Sequence, residues 1–162
     1  MAYSVMLEIA EVTTAEDFKI THNLFVEYAS SLGISLDFQD FKHELAGLPG
    51  DYAPPEGRLL LARWNGKDAG CGGLRKFSDG ICEMKRLYTI PQFRVLGIGR
   101  TLCEKLITAA CEAGYTSMRL DTLPHIKAAR ALYASLGFQQ IDAYRYNPIE
   151  GAVFMELTLA NK

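Results

Sequence analysis

The chain has 162 residues, of which 49% are hydrophobic and 22% are charged, and its net charge at pH 7 is -2. This length suits one domain with its own core, and the composition is that of a globular protein rather than a disordered, collagenous or disulfide-rich one. No apolar run approaches the roughly 20 residues of a transmembrane helix, no basic block indicates nucleic-acid binding, and no signal peptide is recognisable, so we expect a cytoplasmic protein.

The first predicted elements are one strand and two helices. Weak alternation in "SVMLEIAEV" predicts a strand. A helix follows, with Thr13 or Thr14 as its N-cap and Gly33 as its stop. A second helix is predicted over "SLDFQDFKHELAGL" with Ser35 as its cap, and the Pro/Gly-rich "GLPGDYAPPEG" after it is a loop.

Three strands come next, over "RLLLARW", "DAGCGGLRKF" and "ICEMKRLYTI". "NGK" between the first two is a hairpin turn signal. Three glycines in the second strand indicate a bulge or the close approach of another backbone. Pro91 marks the end of the third strand.

The rest of the chain alternates between helices and strands. One helix begins near Ile98, carries an apolar stripe and ends at Gly114. A strand over "TSMRLDT", a helix over "HIKAARALYASL" and a final strand pair over "FQQIDAYRY" and "AVFMELTL" follow. This order predicts a mixed α/β sheet covered by helices.

The stretch "RVLGIGRTL" connects the strand that ends at Pro91 to the helix that begins near Ile98. The first N–H groups of a helix lack internal partners and lie at the positive end of its dipole, so such a turn can bind a phosphate. Glycines let the ligand approach the backbone, and Arg94 and Arg100 add positive charge.

Two familiar phosphate motifs do not fit this stretch. A Rossmann motif needs a third glycine and a place after the first strand, and a Walker A motif needs Gly-Lys-Ser/Thr. By themselves, the residues are also compatible with a helix start that contains a packing glycine.

In context, the pattern resembles the GNAT-type N-acetyltransferases. Their first motif is Gln/Arg-x-x-Gly-x-Gly/Ala, and their second helix commonly reads A-x-x-L-Y-x-x-x-G-F. The matching residues here are Arg94, Gly97 and Gly99 for the first motif, and Ala129, Leu132, Tyr133, Gly137 and Phe138 for the second. The resemblance implies a GNAT-like fold, with a mixed, mostly antiparallel central sheet flanked by about four helices. It also implies an acyltransferase whose co-substrate is acetyl-CoA and which needs no metal.

The resemblance implies a cofactor site on the turn, the preceding strand and the second helix. The turn would hold the pyrophosphate of acetyl-CoA on its amides, and the strand would splay from its neighbour, often at a β-bulge, to reach the pantetheine arm. The implied cofactor-binding residues are Leu87, Tyr88, Thr89, Arg94, Val95, Leu96, Gly97, Ile98, Gly99, Arg100, Thr101 and Ala129. Val95 stands where many members have glycine, and Ile126 stands where many have asparagine.

Two residues are candidates for the proton transfers. The resemblance places a general acid at Tyr133, whose phenol could protonate the departing thiolate; the alternative is a core tyrosine. Glu83 is the candidate general base that would deprotonate the amine, and the alternative is a carboxylate paired with Lys85 or Arg86. No covalent intermediate is required, since holding the amine beside the thioester suffices. Cys82 and Cys103 are accordingly interpreted as packing residues.

The acceptor is predicted to be a primary amine, and the distribution of charge along the chain suggests a cationic one. Residues 1–57 contain ten acidic and two basic side chains, and in the family this segment helps to wall the acceptor pocket. Asp37, Asp40 and Glu44 are candidate attractors, and Arg75 and Tyr144 are candidate lining residues. The alternative is two differently solvated faces.

Three alternatives remain beside an enzyme that acetylates a small molecule. They are a non-catalytic acyl-CoA-binding sensor, acetylation of a protein amine, and a nucleotide-binding domain of another fold. The four cysteines form no C-x-x-C pair, so buried thiols are favoured over a zinc site. The resemblance also allows a homodimer.

Overall fold

The computed structural model describes residues 6–33, 35–36, 40–124 and 126–159. Seven strands share one sheet. The strands are β1 Leu7–Glu11, β2 Arg58–Trp64, β3 Lys67–Ser78, β4 Ile81–Thr89, β5 Ser117–Thr122, β6 Gln139–Ile141 and β7 Val153–Thr158. The α-helices are α1 Ala15–Ser31, α2 Phe41–Ala46, α3 Ile98–Glu112 and α4 Lys127–Ser135. Short 3-10 turns cover Gly50–Tyr52 and Pro91–Phe93.

The strands lie in the order β1-β2-β3-β4-β5-β7-β6. Every neighbouring pair is antiparallel except β4 and β5, which run parallel. The predicted mixed, mostly antiparallel sheet with flanking helices is therefore confirmed. The predicted order of strands and helices also matches the observed one.

Alternation along the strands divides the core between the two faces of the sheet. Leu60 and Ala62 of β2 pack in the cluster that includes α3 and α4, whereas Leu59 and Leu61 pack in the cluster that includes α1 and the segment around Tyr52. Successive side chains of a strand point to opposite faces, which accounts for this division. Among the described residues, no helix is both long and apolar enough to cross a bilayer.

Local signals in the sequence match several observed boundaries. The Thr14 side chain accepts a hydrogen bond from the Asp17 N–H and caps α1. In the β2–β3 hairpin, Asn65 and Gly66 both have positive φ, as the "NG" turn predicts. A Cβ at Gly70 would lie 2.5 Å from the Tyr88 carbonyl oxygen, so the predicted close backbone approach is present.

Two predicted elements are shorter in the structure. Helix α2 begins at Phe41 rather than at Ser35, and residues 37–39 lie outside the described residues. Strand β6 ends at Ile141, although the sequence predicts a strand through Tyr146. The reason is tertiary, because Tyr144 and Arg145 leave the sheet edge and bond the buried Glu83.

The thiols are mostly core residues, as predicted. Cys71, Cys82 and Cys103 are buried, and all four cysteines are free. Burial in apolar surroundings raises the pKa of Cys82 and of Cys103 to about 12, which makes each thiol a poor nucleophile. The prediction is wrong for Cys111, which is exposed on α3.

Candidate functional site

A large cleft of about 860 Å³ opens between the end of β4, the turn before α3, and α4. It contains most of the residues that the sequence suggests for the cofactor. Those that line it are Leu87, Tyr88, Thr89, Arg94, Val95, Gly97, Gly99, Arg100 and Ala129. Segments that are up to about forty residues apart in the sequence thus line one cleft.

The turn is shaped to present its backbone to this cleft. Gly97 is the N-cap of α3 with a φ of 81°, and a Cβ there would meet nothing within 4 Å. Val95 also has a positive φ, of 62°, and its side chain is fully exposed. Together with Arg94 and Arg100, the start of this 15-residue helix fits a pyrophosphate group.

Three predicted cofactor residues take other positions in the turn. Ile98 is buried in the core, the Thr101 hydroxyl donates to the Gly97 carbonyl, and Leu96 is exposed beside the turn. None of the three is among the residues that line the large cleft. Their backbone amides could still contribute to anion binding, so their assignment stays a prediction.

A β-bulge in β4 forms the wall opposite α4. Cys71 of β3 pairs with Tyr88, but Gly73 pairs with Lys85, so β4 holds one extra residue at this point. Arg86 lies in the bulge with a φ of 60°. The bulge reverses the alternation of the strand, because it turns Arg86 towards α2 and leaves Leu87 packed on the α3 side.

A second, narrow pocket of about 40 Å³ adjoins the large cleft, and the two share Leu87 and Tyr133 in their linings. It lies where β4 and β5 separate, beyond the last paired residues Glu83 and Arg119. This volume holds a water molecule or a small functional group. Its charged lining residues are Lys85, Arg86 and Asp121.

Tyr133 stands at the junction of the two spaces. Its side chain is buried on α4, and its ring packs against Phe138 with centroids 5.8 Å apart. Burial, with Cys103, Tyr28 and Asp121 nearby, raises the pKa of Tyr133 well above its usual value. The phenol therefore stays protonated at neutral pH and is able to donate a proton or a hydrogen bond.

Glu83 lines neither the large cleft nor the narrow pocket. It is completely buried and accepts hydrogen bonds from Arg75 Nε at 3.2 Å, Tyr144 Oη at 2.9 Å and Arg145 Nη2 at 2.6 Å. The predicted lining residues Arg75 and Tyr144 are thus partners of Glu83. This arrangement favours a structural carboxylate, and the assignment of Glu83 as a base stays a prediction.

The acidic residues that the sequence suggests as attractors are dispersed. Glu44 of α2 accepts two hydrogen bonds of 2.9 Å from Arg86, so its charge is directed to a buried guanidinium. Asp40 is exposed beside His43. Asp37 lies outside the described residues.

Residues 19–138 match the family model described as the acetyltransferase (GNAT) family, which is about three-quarters of the chain. The chain belongs to the GNAT family of acetyltransferases. It is 40% identical over 147 residues to an uncharacterized N-acetyltransferase of Schizosaccharomyces pombe, covering 90% of this chain and 88% of that protein. The GNAT resemblance and the predicted acyltransferase activity are therefore confirmed.

Solved structures support the same fold. An acetyltransferase of Streptococcus agalactiae superposes with a TM-score of 0.78 at 22% identity, over 96% of this chain and 100% of that one. A protein of Salmonella typhimurium, solved with its cofactor acetyl-CoA, superposes with a TM-score of 0.68 at 20% identity, over 97% and 96% of the two chains. The GNAT fold thus accommodates acetyl-CoA.

Part of the candidate site is not predicted from the sequence. The sequence predicts no role for Asp121, and it predicts Lys85 and Arg86 only as possible partners of Glu83. A signal was present, because "ICEMKRLYTI" and "SMRLDT" place charged residues inside strands that the core covers on both faces. Such residues are rarely buried unless they are paired or functional.

Proposed function

We propose that this protein transfers the acetyl group of acetyl-CoA to the primary amine of a small molecule by direct attack. The observation that carries the proposal is the junction of the two spaces at Tyr133. The large cleft has the turn and the positive charges for a CoA pyrophosphate, and the narrow pocket beyond Tyr133 has room for a small polar group.

Acetyl-CoA, when bound, supplies the acetyl thioester. The turn around Gly97 and the arginines Arg94 and Arg100 hold its phosphates, and the bulged strand at Leu87 orients the arm that reaches the junction. Tyr133 gives its proton to the departing sulfur, since a thiolate with a pKa near 8.5 leaves more readily when it is protonated. Positioning the amine in the adjoining pocket makes the transfer effectively unimolecular.

The acceptor is a small molecule in this proposal because the pocket beyond Tyr133 has a volume of only about 40 Å³, which is room for one small functional group. The sequence favours a cationic acceptor through its acidic first third. The pocket itself presents both charges, from Lys85, Arg86 and Asp121. Assays with a panel of cationic, neutral and zwitterionic amines decide which charge type of acceptor is acetylated.

The test has two stages. Calorimetry with acetyl-CoA measures binding, and thiol release with polyamines, amino acids, neutral amines and basic peptides measures transfer. Binding with release for one class of small amine supports the proposal. Binding without release for any amine favours the sensor, release only with peptides favours a protein acceptor, and absence of binding overturns the proposal.

A further inference from the structure

The narrow pocket is lined by a buried ion pair, Lys85 with Asp121, to which the proposed acetyl transfer assigns no role. Lys85 Nζ of β4 lies 3.3 Å from Asp121 Oδ1 of β5, and the two side chains are only 3% and 4% exposed. The pair spans the gap where the parallel strands separate, beyond Glu83 and Arg119. Asn147 donates to the other oxygen of Asp121 at 3.2 Å, which holds the carboxylate in place.

The titratable side chains that line the pocket differ in how well they could accept a proton at neutral pH. They are Tyr28, Lys85, Arg86, Asp121 and Tyr133. Burial raises the pKa of both tyrosines, and an arginine remains protonated, so these three side chains stay protonated and cannot act as bases at neutral pH. Burial raises the pKa of Asp121, but the cation of Lys85 and the Asn147 amide outweigh burial and keep this pKa below its usual value, which makes the carboxylate a weak base.

Lys85 has the opposite tendency. Burial lowers its pKa to about 8, and Arg86 on the same strand and Arg75 on β3 act in the same direction. Asp121 on β5 and Glu83 on β4 oppose this shift. A neutral amine is therefore accessible to Lys85 near physiological pH, where a general base is most effective.

We propose that Lys85 is the general base that takes the proton from the acceptor amine, with Asp121 as the residue that positions it. This inference rests on the proposed acetyl transfer and names the proton acceptor for the same site. It replaces Glu83 in that role, because Lys85 lines the pocket next to Tyr133 and Glu83 does not. Asp121 acts only through Lys85.

The proton balance is closed by Lys85 and Tyr133. A neutral amine enters, its nitrogen forms a bond to the acetyl carbon, and the bond from that carbon to sulfur breaks. Lys85 Nζ receives a proton from the nitrogen while Tyr133 gives a proton to the sulfur. Lys85 is then an ammonium and Tyr133 a phenolate, and transfer of one proton from the first to the second through solvent restores both groups.

Two variants separate this role from simple packing. Lys85→Arg keeps the cation beside Asp121 but stays protonated at every working pH. We expect kcat to fall by about 100-fold or more, with the Kd for acetyl-CoA unchanged. Lys76→Arg is the control, because Lys76 is 43% exposed and pairs with Glu56 and Asp79 away from the pocket. Retention of kcat in Lys85→Arg overturns the proposal.

The pH dependence of kcat/KM distinguishes a general base from a structural lysine, because only the titration of a general base sets its acid limb. Asp121→Asn removes the charge that favours protonated Lys85, so the acid limb of kcat/KM is expected to move to lower pH by about one unit. The same amine is used for every variant, so its own ionisation cancels in the comparison. An unmoved limb in Asp121→Asn, with the protein folded and binding acetyl-CoA, overturns the proposal.

A measurement without turnover distinguishes failure of this inference from failure of the proposed function. The protein is labelled with ¹³C at lysine Cε, and the Lys85 signal is identified by its loss in Lys85→Arg or, should that variant not fold, Lys85→Met. A titration midpoint near pH 8 supports the inference, and a midpoint above pH 10 overturns it. Both results are obtained whether or not any tested amine is acetylated.

Discussion

The turn before α3 and the pocket between β4 and β5 present different chemical groups to a ligand. The turn uses backbone amides, two glycines and exposed arginines from one continuous segment of the chain. The pocket uses buried charged side chains from separate strands, supported by Asn147 from the segment after β6. One site is local in sequence, and the other exists only in the folded chain.

This difference predicts how each site responds to substitution. An exposed backbone cradle is expected to lose little ligand affinity when one side chain is removed, because the amides remain and solvent screens the charges. A buried charge network responds strongly, because removal of one partner leaves another charge unpaired in a place from which water is excluded. Substitutions in the two regions should therefore differ in size and in which measured quantity they change.

The largest effect on stability is expected from Glu83→Gln. The change leaves Arg75 and Arg145 without their common carboxylate, and we expect the free energy of unfolding to fall by about 3 kcal/mol in urea denaturation. Glu56→Gln is the control, since Glu56 is 61% exposed and pairs with Lys76. A variant that keeps its stability but loses kcat would instead support Glu83 as the base.

Tyr133→Phe should have a large effect on catalysis without an effect on the cofactor turn. We expect kcat to fall by about 100-fold, because the proton donor to the sulfur is removed while the ring packing against Phe138 remains. The Kd for acetyl-CoA should not change. Tyr146→Phe, at a residue that is 73% exposed, is the control, and equal activity in both variants would contradict the role of Tyr133.

Adding a Cβ at one position of the turn and removing a side chain at another should change the free energy of unfolding in opposite directions. Gly97→Ala places a Cβ at a φ of 81° and should lower the free energy of unfolding by about 1 kcal/mol. Val95→Gly relieves a branched side chain at a φ of 62° and should raise the free energy of unfolding by about 0.5 kcal/mol. Urea denaturation measures both, and a loss of stability in Val95→Gly would contradict the strain assigned to this residue.

The smallest effect on ligand binding is expected from Arg94→Ala. Arg94 is exposed at the edge of the cleft, and its loss should weaken acetyl-CoA binding by roughly threefold at low salt and less at high salt. Calorimetry at two ionic strengths provides the measurement. Lys105→Ala on the outer side of α3 is the control, and a loss that salt does not reduce would argue against a charge interaction at Arg94.

Most of the residues predicted for the cofactor line one cleft because many of them are neighbours in the chain. The strand ending before Pro91, the glycine turn and the helix from Ile98 are contiguous, so their spacing together with the family resemblance predicts the cradle. A bulge in β4 was expected through the family resemblance, and the glycines of β3 indicated a bulge or a close backbone approach in the neighbouring strand. Its location at Arg86, and the reversal of side-chain direction that follows, required the pairing of β4 with β3.

What the sequence determined by itself is the order of the elements, the family motifs and the turn, because helix caps, glycine turns and alternation act over a few residues. Only the tertiary structure decided that Glu83 is enclosed by Arg75, Tyr144 and Arg145, and that Lys85 faces Asp121. The physical reason is that the role of a charged side chain depends on its burial and on its partners. Asp121 lies 36 positions from Lys85 along the chain, and Tyr144 and Arg145 lie 61 and 62 positions from Glu83.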